Sequence, residues 1–420
     1  MQTKAVRLHG KNDLRLDTFT LREIRDDEIL GTVISDSACM STYKGVILGS
    51  GHKRIPGDIA TNPIVTGHEF AGVIEQVGEK LKDKYRPGQK FTLQPNINHK
   101  GLGYAPGYSF PDFGGNATRI IIPAEVMRKG FFLEYSGDAY FKASLAEPLS
   151  CIIAALKAAY HTDKGGKAHS MGVKKNGNFA LLAGCGAMGL GTIDLLLHMQ
   201  PRPAMILATD IDQARIDTAK KVLPPEAAAK QGVALHYVNT YGMENAAEHL
   251  RAFTGGNGFD DVMVMAPVES VIAQADAIAG KDGCINFFSG PTDIGFSAPV
   301  NFYDVHYNAK HIIGTSGGDT ADMIESLRII EGTDLNPAVM VTHIGGLDSV
   351  PELLINLPKL PGGKKLTYSN ISLELTAIGD FEQKGKNDPL FAGLHEICKK
   401  HSMLWNAEAE QYLLENAKSI

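Results

Sequence analysis

The chain has 420 residues, 44% apolar and 21% charged, ordinary proportions for a globular chain long enough for two domains or a third. Its net charge of −6 presents no overall basic field to nucleic acid or an anionic membrane, so an anionic substrate needs a local basic pocket. The opening run MQTKAVRLHGKNDLRL has no apolar targeting core, no stretch approaches the ~18 apolar residues of a membrane span, and five scattered cysteines point to the cytoplasm rather than to a disulfide framework.

Residues 1–150 are rich in Gly, Pro and short β-like runs such as 28–34 and 70–77, with turn signals such as Arg86-Pro87-Gly88 between them. This texture predicts an antiparallel, barrel-like β domain. From 151 to 334 buried strands alternate with helices. Strands are expected at 179–183, 204–209, 233–238, 261–265, 284–288 and 311–314, with helices at 187–199 and 213–223. That rhythm predicts a doubly wound parallel sheet, hence an α/β fold class with a second, β-rich domain. Beyond 335 the rhythm stops. Residues 366–371 read as a strand returning to the first domain, and 388–420 as a helical tail packed through Leu394, Ile397, Leu404, Leu413 and Leu414.

Gly184-Cys185-Gly186-Ala187-Met188-Gly189 is a G-x-G-x-x-G. In a chain with 45 glycines the pattern alone says little. The strand before it and the apolar helix after it give it meaning. The first glycine allows a tight turn, the second lets backbone approach a pyrophosphate, and the third lets helix and strand pack closely. The next strand ends at Asp210, 26 positions after Gly184. A carboxylate there binds ribose hydroxyls and repels a 2′-phosphate, which favours NAD, while Arg215 nearby leaves room for NADP.

Cys39, His68-Glu69 and Glu147 offer a thiol, an imidazole and two carboxylates, donor types that zinc takes in catalytic sites with one open position. Taken singly, each reads as readily as packing or surface decoration. Together, Cys39 with Ser41, Gly67-His68-Glu69 before Phe70-Ala71-Gly72-Val73, Glu147-Pro148-Leu149, and then the glycine fingerprint stand in a telling order. It is the order of the zinc-containing medium-chain alcohol and polyol dehydrogenases, which the chain resembles over residues 1–370. Glu-Pro-Leu is similar to the sorbitol dehydrogenase branch, and the whole chain resembles bacterial L-sorbose-1-phosphate reductases.

The resemblance implies a GroES-like catalytic domain (1–150 and 335–420) beside a Rossmann domain (151–334). It implies one catalytic zinc held by Cys39 and His68, with Glu69 and Glu147 as ligands or water-mediated neighbours. Ser41 would relay the proton of the substrate oxygen. It also implies a homo-oligomer, dimer or tetramer. Two departures stand out. Thr42 occupies the position where the family commonly has an Asp orienting the zinc-bound His. No cysteine lies between Gln94 and Asn116, so no structural zinc is expected. Cys151 and Cys185 read as packing residues.

The expected reaction is reduction of a ketose phosphate, L-sorbose 1-phosphate to D-glucitol 6-phosphate, with a nicotinamide cofactor. The phosphate calls for a cation near the metal. Candidates are Lys44, Arg119 and the cluster His52, Lys53, Arg54. An unphosphorylated polyol as substrate, a zinc-free reductase on the same scaffold, and a nucleotide sensor without turnover are the competing readings. Retention of the whole donor set argues against the last two.

Overall fold

A computed structural model describes residues 1–162 and 166–420. Two compact units form, Met1–Glu147 with Val341–Ile420, and Pro148–Met340. Among the described residues no helix is long and apolar enough to cross a membrane.

The first unit is built on a sheet whose centre is the strand Ile29–Ser37, paired antiparallel with Phe70–Val77 on one side and Lys364–Tyr368 on the other. Ile29, Val33, Phe70, Ile74, Phe91 and Ile120 fill its core. The register brings Asp36 opposite Phe70 and Leu366 opposite Ser37. The end of one strand, the start of its neighbour and the start of the returning strand therefore meet at one sheet end, where Cys39, His68-Glu69 and Lys364 lie.

The returning strand runs Lys364–Tyr368 rather than 366–371. It belongs to a strand–helix–strand unit that the sequence reading missed, with Val341–Gly346 parallel to it and the helix Val350–Asn356 between. Parallel neighbours need such a crossover. Its helix is short, so little periodicity reveals it.

In the second unit six of the described strands form a parallel sheet, and Tyr160–Thr162 pairs antiparallel with His169–Met171 apart from it. The order of the six is Ala234–Asn239, Met205–Asp210, Asn178–Leu182, Phe259–Val264, Ala279–Phe287, His311–Gly314. All six expected strands are present, with ends shifted by a few residues. The order reverses between Asn178–Leu182 and Phe259–Val264, and the crevice beyond such a switch point is where doubly wound sheets bind ligands. The fingerprint turn follows the first of these strands.

The tail forms two helices, Pro389–Lys400 and Ala407–Asn416. Leu394, Ile397 and Leu413 are buried as expected, whereas Leu404 and Leu414 are only half-buried. The anchor is polar as well as apolar. Trp405, fully buried, donates its Nε1–H to the Tyr368 hydroxyl at 2.7 Å, which donates to Glu410 at 2.8 Å. Glu410 also accepts the backbone N–H groups of Tyr140 and Phe141, which open the helix Tyr140–Ser144. Burial raises the Glu410 carboxyl to about 7. Glu410→Ala would strand three buried donors, so we expect a loss of roughly 3 kcal/mol. It would be read as a lower thermal midpoint for the first unit.

Candidate active site

Cys39 Sγ, a ring nitrogen of His68 and a carboxylate oxygen of Glu69 lie within 4.8 Å of one another. His68 and Glu69 are buried and Cys39 is half-buried. Cys39 caps the N-terminus of the helix Met40–Leu48, directly beyond the Ile29–Ser37 strand. Gly67 turns the chain into His68 with φ +87°, and a Cβ there would sit 2.7 Å from Asp36 Oδ2 and 2.8 Å from the Asn116 backbone nitrogen. Only glycine fits that conformation and that space.

Thr42 supplies the partner that the sequence left open. Its hydroxyl shares a 3.0 Å hydrogen bond with His68 Nδ1, both residues being buried. His68 Nε2 is left facing Cys39 and Ser41, the latter at 3.3 Å. Burial, outweighing the Glu69 charge, lowers the His68 pKa to about 4, so the ring is neutral and able to act as a ligand. Burial and the neighbouring Glu69 carboxylate raise the Cys39 thiol to about 12. A buried thiol among carboxylates becomes a thiolate only beside a cation. The set therefore suits a thiophilic divalent ion such as zinc. If Thr42 fixes the imidazole, Thr42→Val should weaken zinc affinity about 10-fold or more, measured by competition with a chromophoric chelator.

Glu69 carries a partner that no local motif announces. Lys364 Nζ donates to both of its carboxylate oxygens, one at 2.7 Å, and both side chains are buried. Burial alone would raise the Glu69 pKa, but Lys364, then His68, hold it below the usual carboxylate range. Glu147 lies outside the three-donor set. It stands in the first turn of the helix Ala146–Ala158, half-buried, and its charge reaches Cys39.

Ser41 sits among these groups. Its Oγ lies 3.0 Å from Cys39 Sγ and accepts the Tyr108 hydroxyl at 2.9 Å. Tyr108 is buried, and burial raises its pKa further, so it stays a donor. The Ser41 proton is thereby released to point elsewhere.

In the second unit the fingerprint forms the turn between Asn178–Leu182 and the helix Ala187–His198. Ala183 leaves the strand at φ 55°, one residue earlier than the sequence suggested. A Cβ on Gly189 would lie 2.0 Å from the Gly184 carbonyl oxygen, whereas one on Gly186 would meet nothing within 4 Å. The third glycine is thus required by protein packing, and the second faces open space. Gly186 caps the helix without a side-chain hydrogen bond, leaving the helix N-terminus to an anion. Asp210 Oδ1 accepts two backbone N–H groups, and its buried Oδ2 has no hydrogen-bond partner among the described residues. An orphaned carboxylate oxygen at this strand end suits a ribose hydroxyl.

The chain matches the family described as zinc-binding dehydrogenase over residues 187–332. Over its whole length it is 49% identical to mannitol-1-phosphate 5-dehydrogenase of Aliivibrio fischeri, across 99% of this chain and 98% of that protein. It is 43% identical to L-sorbose 1-phosphate reductase of Klebsiella pneumoniae, across 100% and 98%. The chain belongs to the zinc-binding dehydrogenase family. Among solved structures, 2R,3R-butanediol dehydrogenase of Bacillus subtilis superposes with a TM-score of 0.69 at 21% identity, covering 88% of this chain and 100% of that one. The first unit is accordingly the GroES-like domain and the second the Rossmann domain of an NAD(P)-dependent alcohol/polyol-type dehydrogenase.

The remaining candidates of this zinc-binding dehydrogenase fall in different places. Lys44 is half-buried, on the same helix as Ser41 and three residues on. His52 and Arg54 lie against the Tyr108 ring, while Lys53 is exposed. Arg119 is a correction. Its Nε donates to Glu75 at 2.7 Å across the sheet, so its charge is committed to a structural ion pair. Arg215 is exposed and lies 3.7 Å from Asp212. Cys185 is buried in the fingerprint, its thiol raised to about 12 by burial. Residues 94–116 are fastened in part by an ion pair between His99 and Glu125 and by Ile97, which is buried in the core and whose carbonyl accepts from Lys129. Tyr108 and Lys364 were not foreseen. A tyrosine in a Gly/Pro-rich loop and a lysine opening a strand carry no local signal of their partners.

Proposed function

We propose that this enzyme reduces a ketose phosphate, L-sorbose 1-phosphate to D-glucitol 6-phosphate, in the cytoplasm, with NAD preferred over NADP. The observation that carries the reaction class is the convergence of Cys39, His68 and Glu69, with the Ser41 hydroxyl against the first two. Full-length similarity to two enzymes named for a hexitol phosphate and a ketohexose phosphate supports the substrate class. Oxidation of mannitol 1-phosphate at C5 is the second reading, favoured by the 49% relative.

Cys39 and His68 would hold the zinc, with Glu69 as a third ligand or a water-mediated neighbour and Glu147 as a nearby charge. Zinc bound there supplies a Lewis acid for the substrate oxygen. The nicotinamide supplies the hydride. Ser41 relays a proton from solvent to the oxygen of the reduced carbon, taking one up as it gives one away, with its oxygen held by the Tyr108 hydroxyl. Lys44, one helical turn beyond Ser41, favours negative charge on the substrate. Lys364 fixes the Glu69 carboxylate and offsets its charge. Gly184 to Gly189, with Ala187 and Met188 opening the helix, receive the pyrophosphate, and Asp210 receives the adenosine ribose. On this reading Asp210→Asn should raise the KM for NAD about 10-fold while changing that for NADP little.

The exposed edge strand His311–Gly314, with Phe302, Tyr303 and Tyr307 exposed nearby in sequence, is consistent with a homo-oligomer. The reaction is tested by following reduced nicotinamide with L-sorbose 1-phosphate beside L-sorbose, and D-fructose 6-phosphate beside D-fructose. Oxidation with one phosphate ester and not its free ketose supports the reading and chooses between the two substrates. Equal rates, or rates with the free ketoses alone, leave a general polyol dehydrogenase.

A further inference from the structure

The Tyr108 ring joins two groups of residues that are separate in the sequence. Its hydroxyl touches Ser41, and its ring lies 5.1 Å from that of His68. The His52 ring stacks on it at 5.4 Å and 13°. The Arg54 guanidinium lies over it, 5.4 Å from its centre. The loop is pinned so that these positions are defined. Arg54 N donates to His52 Nδ1 at 3.3 Å, Ser109 donates to the Arg54 carbonyl at 2.6 Å, and Ile55 is buried against Tyr108 and Val46.

Arg54 is half-buried, yet among the described residues no carboxylate lies within ion-pair distance of it. That contrasts with Arg22, Arg25 and Arg119, whose guanidiniums each have a carboxylate. Burial together with the charges of Arg54, Lys53 and Lys44 lowers the His52 pKa, and Arg54 shares with it the face of the Tyr108 ring. The Arg54 charge also reaches His68. A partly desolvated guanidinium with no carboxylate beside it among the described residues, one phenol ring from the proton-relaying serine, suits an anionic ligand.

We propose that Arg54 and His52, seated on Tyr108, bind the phosphomonoester of the substrate, with Lys53 and Lys44 adding charge. The planar guanidinium offers a fork of donors to two phosphate oxygens. This rests on the ketose-phosphate reading above and assigns the residues that distinguish the ester from the free sugar. Tyr108 is a positioning residue, fixing the spacing between phosphate and reacting oxygen.

The test compares zinc-loaded wild type with Arg54→Gln and with Lys80→Gln, a remote surface control. For each, kcat/KM is measured for L-sorbose 1-phosphate and L-sorbose, and for D-fructose 6-phosphate and D-fructose. Inorganic phosphate binding is measured by calorimetry on the same samples. We expect Arg54→Gln to cut the ester-to-free-sugar ratio on the order of 10- to 100-fold and to weaken phosphate binding, while Lys80→Gln behaves as wild type. A wild type that prefers the ester, with an Arg54→Gln variant that keeps the same ratio, overturns the inference and leaves the ketose-phosphate reading standing. A wild type with no preference for either ester overturns both. Tyr108→Phe, which keeps the ring and loses the hydroxyl, should keep the ester preference while lowering kcat. If it loses the preference, the ring is not the seat of the cations.

Discussion

Cys39→Ala should lower kcat/KM by on the order of 1000-fold or more while leaving dinucleotide affinity unchanged. The thiol is one of three donors within 4.8 Å, and loss of a Lewis acid worth several kcal/mol translates into a factor of that size. The Cys39 side chain makes no capping hydrogen bond to its helix, so alanine there removes a metal donor and no helix cap. The cradle for the dinucleotide belongs to the other unit, so its affinity is an internal control. With cobalt in place of zinc, the thiolate-to-cobalt absorption should be present in wild type and absent from the variant. Retained activity in Cys39→Ala, with metal bound, would remove Cys39 from the donor set.

Gly189→Ala and Gly186→Ala should separate packing from ligand space. At Gly189 the new Cβ would meet the Gly184 carbonyl oxygen at 2.0 Å, its carbon at 2.5 Å and its Cα at 2.8 Å. These are backbone atoms in the turn itself, so the helix must move away from the strand. Overpacking of this kind costs about 1–3 kcal/mol, occasionally more. Gly189→Ala should therefore lower the thermal midpoint and abolish measurable dinucleotide binding. Gly186→Ala should do only the second. Its Cβ meets no protein atom within 4 Å and its φ is −85°, so stability should stay within about 0.5 kcal/mol. The methyl would occupy the space through which a pyrophosphate reaches the helix N-terminus. An alanine at 186 that binds dinucleotide normally would mean that this open space is not the phosphate cradle.

The legible parts of this molecule are those whose chemistry is written in consecutive residues. Gly184 to Gly189 could be read because a strand, three glycines and a helix must follow one another. The six strands of the parallel sheet could be read because short apolar runs such as Asn178–Leu182 and Met205–Asp210 alternate with helical segments. Gly67-His68-Glu69 and Cys39 gained meaning from a family order rather than from spacing. The structure adds why they meet, through the register of Ile29–Ser37 against Phe70–Val77.

What escaped depends on contacts between distant residues. Lys364 pairs with Glu69 across 295 positions, and Tyr108 reaches Ser41 across 67. Neither residue type announces such a partner. Nothing in the sequence singles out Glu410, and only the folded chain shows it capping another helix 269 positions earlier. The Arg119 expectation failed for a related reason. A strand arginine reaches over the central strand Ile29–Ser37 to a glutamate on that strand's other neighbour, and such a pairing depends on registration, which composition does not encode.

The central claim is that Cys39, His68 and Glu69 hold one zinc ion. Elemental analysis of the purified, dialysed protein tests it most directly. One zinc per chain is the expected result. A fully active preparation without zinc, or one retaining two zinc ions per chain, would contradict it.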